Sequence, residues 1–216
     1  GVDANDVASP FGDVTADKVK SDSTANATRY IRQFPDAESV SGQDYTASVY
    51  VKAAGVNWIY LALWELGNFY IGAAYFDLQN GVSGTTTHGT STIESVGNDW
   101  YRVSVTGAGT GTGKFINEIW MAEGDNDRNF DGDGTSGIYV YGAQLEAAPS
   151  AGPYVRTLSE TRSISDANAE SLGLLVEEQR ANLLKYSEPD SRSTTAVVAE
   201  WSFNGLSPLN EIEKEL

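Results

Sequence analysis

The chain contains no cysteine, a single histidine and a single methionine. Without cysteine there is no disulfide framework and no thiolate chemistry, so a small stapled scaffold is excluded and stability must come from a hydrophobic core. His88 is the sole histidine and stands in a Gly/Thr-rich stretch, so a histidine cluster cannot hold a metal. A Ser-His-Asp triad would need that same residue, and no nucleophile-elbow sequence accompanies it. Cations are scarce too: 14 Lys and Arg stand against 30 Asp and Glu, giving a net charge of −16 and a pI near 4.3. A surface of that sign repels a phosphate backbone or an anionic bilayer, leaving neutral polymers, cations and other proteins as partners. No run approaches the roughly 18 apolar residues of a membrane-spanning helix, so no membrane insertion is expected. No hydrophobic leader opens the chain, and Gly1 rather than Met stands first, as in a fragment or processed product.

Glycine is plentiful, at 22 residues, and it accompanies many Thr, Ser, Val and Tyr, the composition of strands joined by tight turns. Period-two alternation recurs. In DYTASVYVKA, Tyr45, Ala47, Val49 and Val51 fall on one face, with Thr46, Ser48 and Tyr50 on the other. NWIYLALWE (Asn57 to Glu65), FYIGAAYFDL (Phe69 to Leu78), DWYRVSVTG (Asp99 to Gly107), FINEIWMAE (Phe115 to Glu123) and GIYVYGAQLE (Gly137 to Glu146) read as further strands. LQNGVSGTTTHGT and TGAGTGTGK read as loops, the second as a hairpin turn whose GTGTGK has the wrong spacing for a phosphate loop. Strands joined by turns, with no helical period between them, predict an all-β fold, an antiparallel β-sandwich or jelly roll. Pro149, Gly152 and Pro153 close this region. Residues 1–157 are expected to form the sandwich, and 158–216 a linker and C-terminal extension. Within the extension Leu172, Leu175, Val176 and Gln179 recur at near-helical spacing, whereas GLLVEE fits a strand equally well.

Carboxylates crowd one stretch, GDNDRNFDGDG, beginning at Gly124. Asp127, Asn129, Asp131 and Gly132 spell D-x-N-x-D-G, the front half of a calcium loop, in which alternating oxygens suit a hard cation and glycine permits the bend. Ile138 stands where the closing bidentate glutamate would fall, so Asp125 or Asp133 would have to complete the set. Asp125, Asp127, Asn129, Asp131 and Asp133 are therefore candidate Ca2+ ligands, with a solvated turn as the plain alternative. EIWMAE (Glu118 to Glu123) is similar to the paired-glutamate strand E-I-D-x-x-E of retaining sandwich-fold endo-glucanases. Trp120 replaces the tuning aspartate, and residues five apart on a strand face opposite sides, which defeats the carboxylate spacing of about 5 Å that retention needs. A sandwich-fold glycosidase is thus the remotest reading, and no catalytic residue is assigned.

Aromatic residues fall on the expected strands: Trp58, Tyr60, Trp64, Tyr70, Trp120, Tyr139 and Tyr141. Trp58, Tyr60 and Trp64 share a parity, so one face of their strand is unusually aromatic. Facing outward, such a strip would stack against sugar rings or form a subunit interface; facing inward, it would be core. Trp58, Tyr60, Trp64 and Trp120 are the candidate glycan-binding or interface residues, whereas Trp100 in NDWYRVSV is read as structural packing.

TADKV (Thr15 to Val19), YTASVYVKA, ESVGNDWYRVSVTG, GDGTSGIYVYGAQLE, GPYVRT and GLLVEEQRANLLKYSE occur in this order. The series resembles a jelly-roll module of bacteriophage tail-fibre and head-spike proteins, related in fold to carbohydrate-binding modules, over most of residues 1–190. The resemblance implies a non-enzymatic structural virion protein at the particle surface: a fibre, spike or capsid-decoration component with glycan adhesion. It also implies a homo-oligomer, trimeric as in many fibres, in contact with other virion proteins and a host-surface glycan. Related modules in secreted polysaccharide-processing proteins supply the alternative, an extracellular carbohydrate-binding module. In such modules a segment like NLLKYSE…W precedes one like GV…TADKV; here Asn182 to Trp201 supply it at the far end. That order implies one period of a tandem repeat, whose last segment either closes its own sandwich or passes to a neighbour. Donation between copies is the expectation, because an unpaired edge invites strand addition.

Overall fold

A computed structural model describes residues 1–35, 37–67 and 69–157, together with the backbone of 162–163, 181–182 and 201–204. The described chain is all strand and turn, arranged as two antiparallel sheets packed face to face. Twelve strands build the sandwich: β1 (Val2–Ala8), β2 (Val14–Lys20), β3 (Ala27–Gln33), β4 (Asp44–Ala54), β5 (Trp58–Glu65), β6 (Phe69–Asp77), β7 (Val82–His88), β8 (Thr90–Gly97), β9 (Trp100–Ala108), β10 (Phe115–Ala122), β11 (Asn129–Phe130) and β12 (Gly137–Glu146). The first sheet runs β1-β2-β12-β4-β9-β8 and the second β11-β3-β10-β5-β6-β7.

Alternation decides which side chains meet between the layers. Tyr45, Ala47, Val49 and Val51 of β4 point inward, as do Ile59, Leu61 and Leu63 of β5, Val103 and Val105 of β9, and Ile119 and Met121 of β10. They merge into one core, which removes this apolar surface from water and supplies the main drive to fold. Tyr50 and Tyr141 take the opposite parity and join a smaller cluster with Trp100 on the far side of the first sheet, so Trp100 is packing, at 2% exposure.

Two local readings change. Val82–His88, within the stretch read as a loop, is strand β7, an edge strand that pairs only with β6 and does so through register shifts. Its largely exposed residues have no buried face to impose alternation. GTGTGK is not a hairpin turn, because it carries the chain from β9 in the first sheet to β10 in the second. The turn is shaped around Glu65, whose side chain is fully buried. Thr110 donates its backbone N–H at 2.8 Å and its hydroxyl as well, and Thr112 donates its hydroxyl at 2.8 Å. Burial pushes the Glu65 carboxyl up, but hydrogen bonds from Ser39, Thr110 and Thr112 outweigh it and hold the pKa down at about 2.

Beyond the sandwich, β13 (Arg162–Ser163) pairs with β14 (Ala181–Asn182), and β15 (Trp201–Asn204) pairs antiparallel with β3. The helix-or-strand question at Leu172 to Gln179 lies outside the described residues.

Candidate functional site

On β5 the odd residues fill the core, so Trp58, Tyr60, Ala62 and Trp64 stand on the outer face of the second sheet. The sheet register sets their neighbours. Tyr60 lies between Tyr75 of β6 and Trp120 of β10, and Trp120 is opposite Tyr30 of β3. Ala62 lies between Ala73 and Glu118, and Glu118 is opposite Arg32. A register shift between Leu63 and Trp64 then brings Tyr70 beside Trp64. The result is a second aromatic cluster, separate from the core, in which small alanines at 62, 73 and 122 leave space for rings.

The rings pack in pairs and rows. Tyr60 and Tyr75 are 4.5 Å apart between centroids, and Tyr30 and Trp120 are 4.4 Å apart. Trp64, Tyr70 and His88 form a stacked row, at 5.5 Å and then 5.3 Å. Trp58, Trp64, Tyr70, Trp120 and Tyr30 are half-buried, so each keeps part of its surface open to solvent, while Tyr60 is sealed at 4% exposure. What seals it is Arg128, whose guanidinium sits 5.1 Å from the Tyr60 ring centre and 4.8 Å from that of Trp120, a cation–π arrangement. The Tyr60 hydroxyl is 3.0 Å from that of Thr87.

Beneath the open rings lies one fully buried carboxylate, Glu118. Arg32 approaches its Oε1 to 2.7 Å, and the Trp120 indole N–H donates to its Oε2 at 3.0 Å. Burial raises the pKa of Glu118, and the favourable interactions with Arg32, Trp120 and Trp64 only partly offset that. The Trp64 indole N–H contributes by proximity, since it lacks hydrogen-bond geometry to any acceptor. Glu118 thereby fixes the edges of two tryptophans and one arginine. A buried, perturbed carboxylate beneath exposed rings marks a built site rather than incidental surface. Glu123, by contrast, is exposed and lies past the end of β10, away from the Arg32 pair.

The acidic stretch has a different use. Asp125 accepts hydrogen bonds from the Thr85 backbone N–H at 2.7 Å and from its hydroxyl at 2.8 Å, and the Asn126 amide reaches the same hydroxyl at 2.9 Å. These bonds tie the loop after β10 to edge strand β7, laying a strap across the Trp58 end of the outer face. Gly84 permits it, because an added Cβ would stand 2.6 Å from Asp125 and 2.7 Å from the Trp58 ring. Asp127 accepts from the Asn129 N–H at 3.0 Å, and Asp131 from that of Asn26 at 2.6 Å. Asp133 accepts from Ser136 and Thr135, which hold its carboxyl far below the usual range. Gly132 answers to a close approach, since a Cβ there would stand 2.0 Å from the Asp22 carbonyl. Asp125, Asp127, Asn129, Asp131 and Asp133 thus serve separate turns. Among the described residues no three acidic or histidine side chains gather where a cation could bind, so the set does not fit one calcium ion in this arrangement.

The structure brings Trp58, Tyr60, Trp64 and Trp120 onto one face and adds Tyr30, Arg32, Tyr70, Tyr75, His88 and Arg128, which the sequence reading did not assign to it. Their only local signal is parity: Tyr30 and Arg32 flank the inward Ile31. On the other sheet, a shallow groove of about 160 Å³ is lined by Thr90, Thr92, Glu94, Arg102, Ser104 and Thr106, among others, with no aromatic ring to stack on. No family model matches the chain, and no curated protein matches its sequence.

Proposed function

We propose that the protein is a non-catalytic adhesion module of a bacteriophage virion component, a fibre, spike or capsid decoration, and that the outer face of its second sheet holds glycan. The virion assignment rests on the ordered resemblance of six sequence motifs. The adhesive role rests on one observation: half-open rings of Trp64, Tyr70, Trp120 and Tyr30 surround a buried Glu118–Arg32 pair on a solvent-facing sheet. Flat rings stack on the apolar faces of sugars, and the partly exposed Arg32 head offers donors to hydroxyls. A net charge of −16 favours a neutral glycan. A weak single site suffices when copies are displayed together, because effective concentration multiplies affinity. The test is a broad oligosaccharide array followed by titration calorimetry. Binding to at least one neutral glycan is expected, with Trp64→Ala weakening it tenfold or more. An array without any bound glycan, or an affinity indifferent to Trp64→Ala, would refute this reading.

A further inference from the structure

The aromatic face ends at β3, and two short strands cover that edge. β11 pairs with Thr28 and Ala27, while β15 pairs along Tyr30 to Gln33, with Ser202 opposite Arg32 and Asn204 opposite Tyr30. Without β15 the strand that carries Tyr30 and Arg32 would present unpaired backbone groups, a template for strand addition. β15 reaches this place from far along the chain: about forty residues separate it from Thr157.

A four-residue antiparallel ladder forms the same hydrogen bonds whichever copy supplies the strand. The choice between copies is therefore one of concentration. A segment of that length holds its own strand near the edge at an effective concentration on the order of millimolar, falling slowly with length. Copies clustered in an assembly offer their strands at a comparable concentration, and exchange of an identical element is a low-cost route to oligomers. We propose that β15 is exchanged between copies of this chain, so that the Tyr30 and Arg32 border of each aromatic face is closed by a strand from a neighbouring copy. Exchange stands on the pairing alone and does not require that the face bind sugar.

Because the natural chain has no cysteine, engineered disulfides report this pairing without background. Gln33 is in register with Trp201, and Arg32 with Ser202. Directly opposed residues of antiparallel strands have Cα atoms about 4.5–5.5 Å apart, within disulfide reach, and the closer non-hydrogen-bonded pair must be one of these two. Full-length chains bearing Gln33→Cys and Trp201→Cys are given different tags and co-expressed; Arg32→Cys with Ser202→Cys forms the second set. Exchange predicts a covalent dimer carrying both tags in at least one set, lost on reduction. The unaltered chain should also gain mass by light scattering as its concentration approaches about 1 mM. Disulfides confined to single chains when both cysteines share one chain, with no mixed dimer in either set, would overturn exchange. An unaltered chain that stays monomeric over that range would overturn it too.

Discussion

Glu65 and Glu118 are both fully buried, yet their carboxyls move in opposite directions. Burial raises both. Around Glu65, donors from the 109–114 turn overcome it; around Glu118, the Arg32 guanidinium and two indoles do not. The signs matter for stability. A carboxyl depressed to about 2 contributes stability that is present above its unfolded value of 4.5 and lost as pH falls toward 2. At about 1.4 kcal/mol per pKa unit, the contribution is at most about 3 kcal/mol. Glu65→Gln should therefore lower the urea midpoint at pH 7 and flatten the decline between pH 4.5 and pH 2, as denaturation at both ends of that range would show. A raised carboxyl such as Glu118 works the other way, opposing folding at neutral pH and relieved as pH falls. That cost is consistent with a role in positioning Trp64, Trp120 and Arg32 rather than in holding the fold. At this scale the parity of Trp58, Tyr60 and Trp64 was readable, but not which way it faced. The direction depends on Ile59, Leu61 and Leu63 being the better core, a comparison that only the opposing sheet can make.

Among the elements, local signals were good for strands with one buried face and poor for edges. β4, β5, β9, β10 and β12 alternate clearly, whereas β7 and β8 are Thr- and Ser-rich and mostly exposed, so nothing forces a period of two. GTGTGK carries the same turn chemistry whether the next strand returns to its own sheet or crosses to the other. Only Glu65, forty-five residues upstream of Thr110, explains its threonines. The acidic stretch misled for a related reason: the partner of Asp125 is Thr85, on a strand that was not visible as one. Asp125→Ala should release the strap from β7 and uncover Trp58 and Tyr60. The expected cost is about 1–2 kcal/mol from orphaned donors and lost cover, read by chemical denaturation, together with a red shift in tryptophan emission. Unchanged stability and an unshifted spectrum would mean that the strap covers nothing.

For the whole molecule, the division of labour runs between faces. The inner faces hold the core; the first sheet's outer face packs Tyr50, Trp100 and Tyr141 beneath the chain's early and late segments. The second sheet's outer face keeps its rings partly open around Glu118. Sandwich class was legible because alternation and turn chemistry recur along the chain. Assembly of the site was not, since β3, β5, β6, β7 and β10 each add a residue or two from distant positions. The most direct test follows the indole N–H signals of the protein in two-dimensional NMR while a neutral oligosaccharide selected from the array is added. Trp64 and Trp120, on the proposed face, are predicted to shift with a single saturating curve, and Trp100, bonded to the Ala8 carbonyl at 3.2 Å beneath the first sheet, to stay in place. A titration that moves Trp100 while leaving Trp64 and Trp120 unmoved would contradict the assignment of the adhesive face.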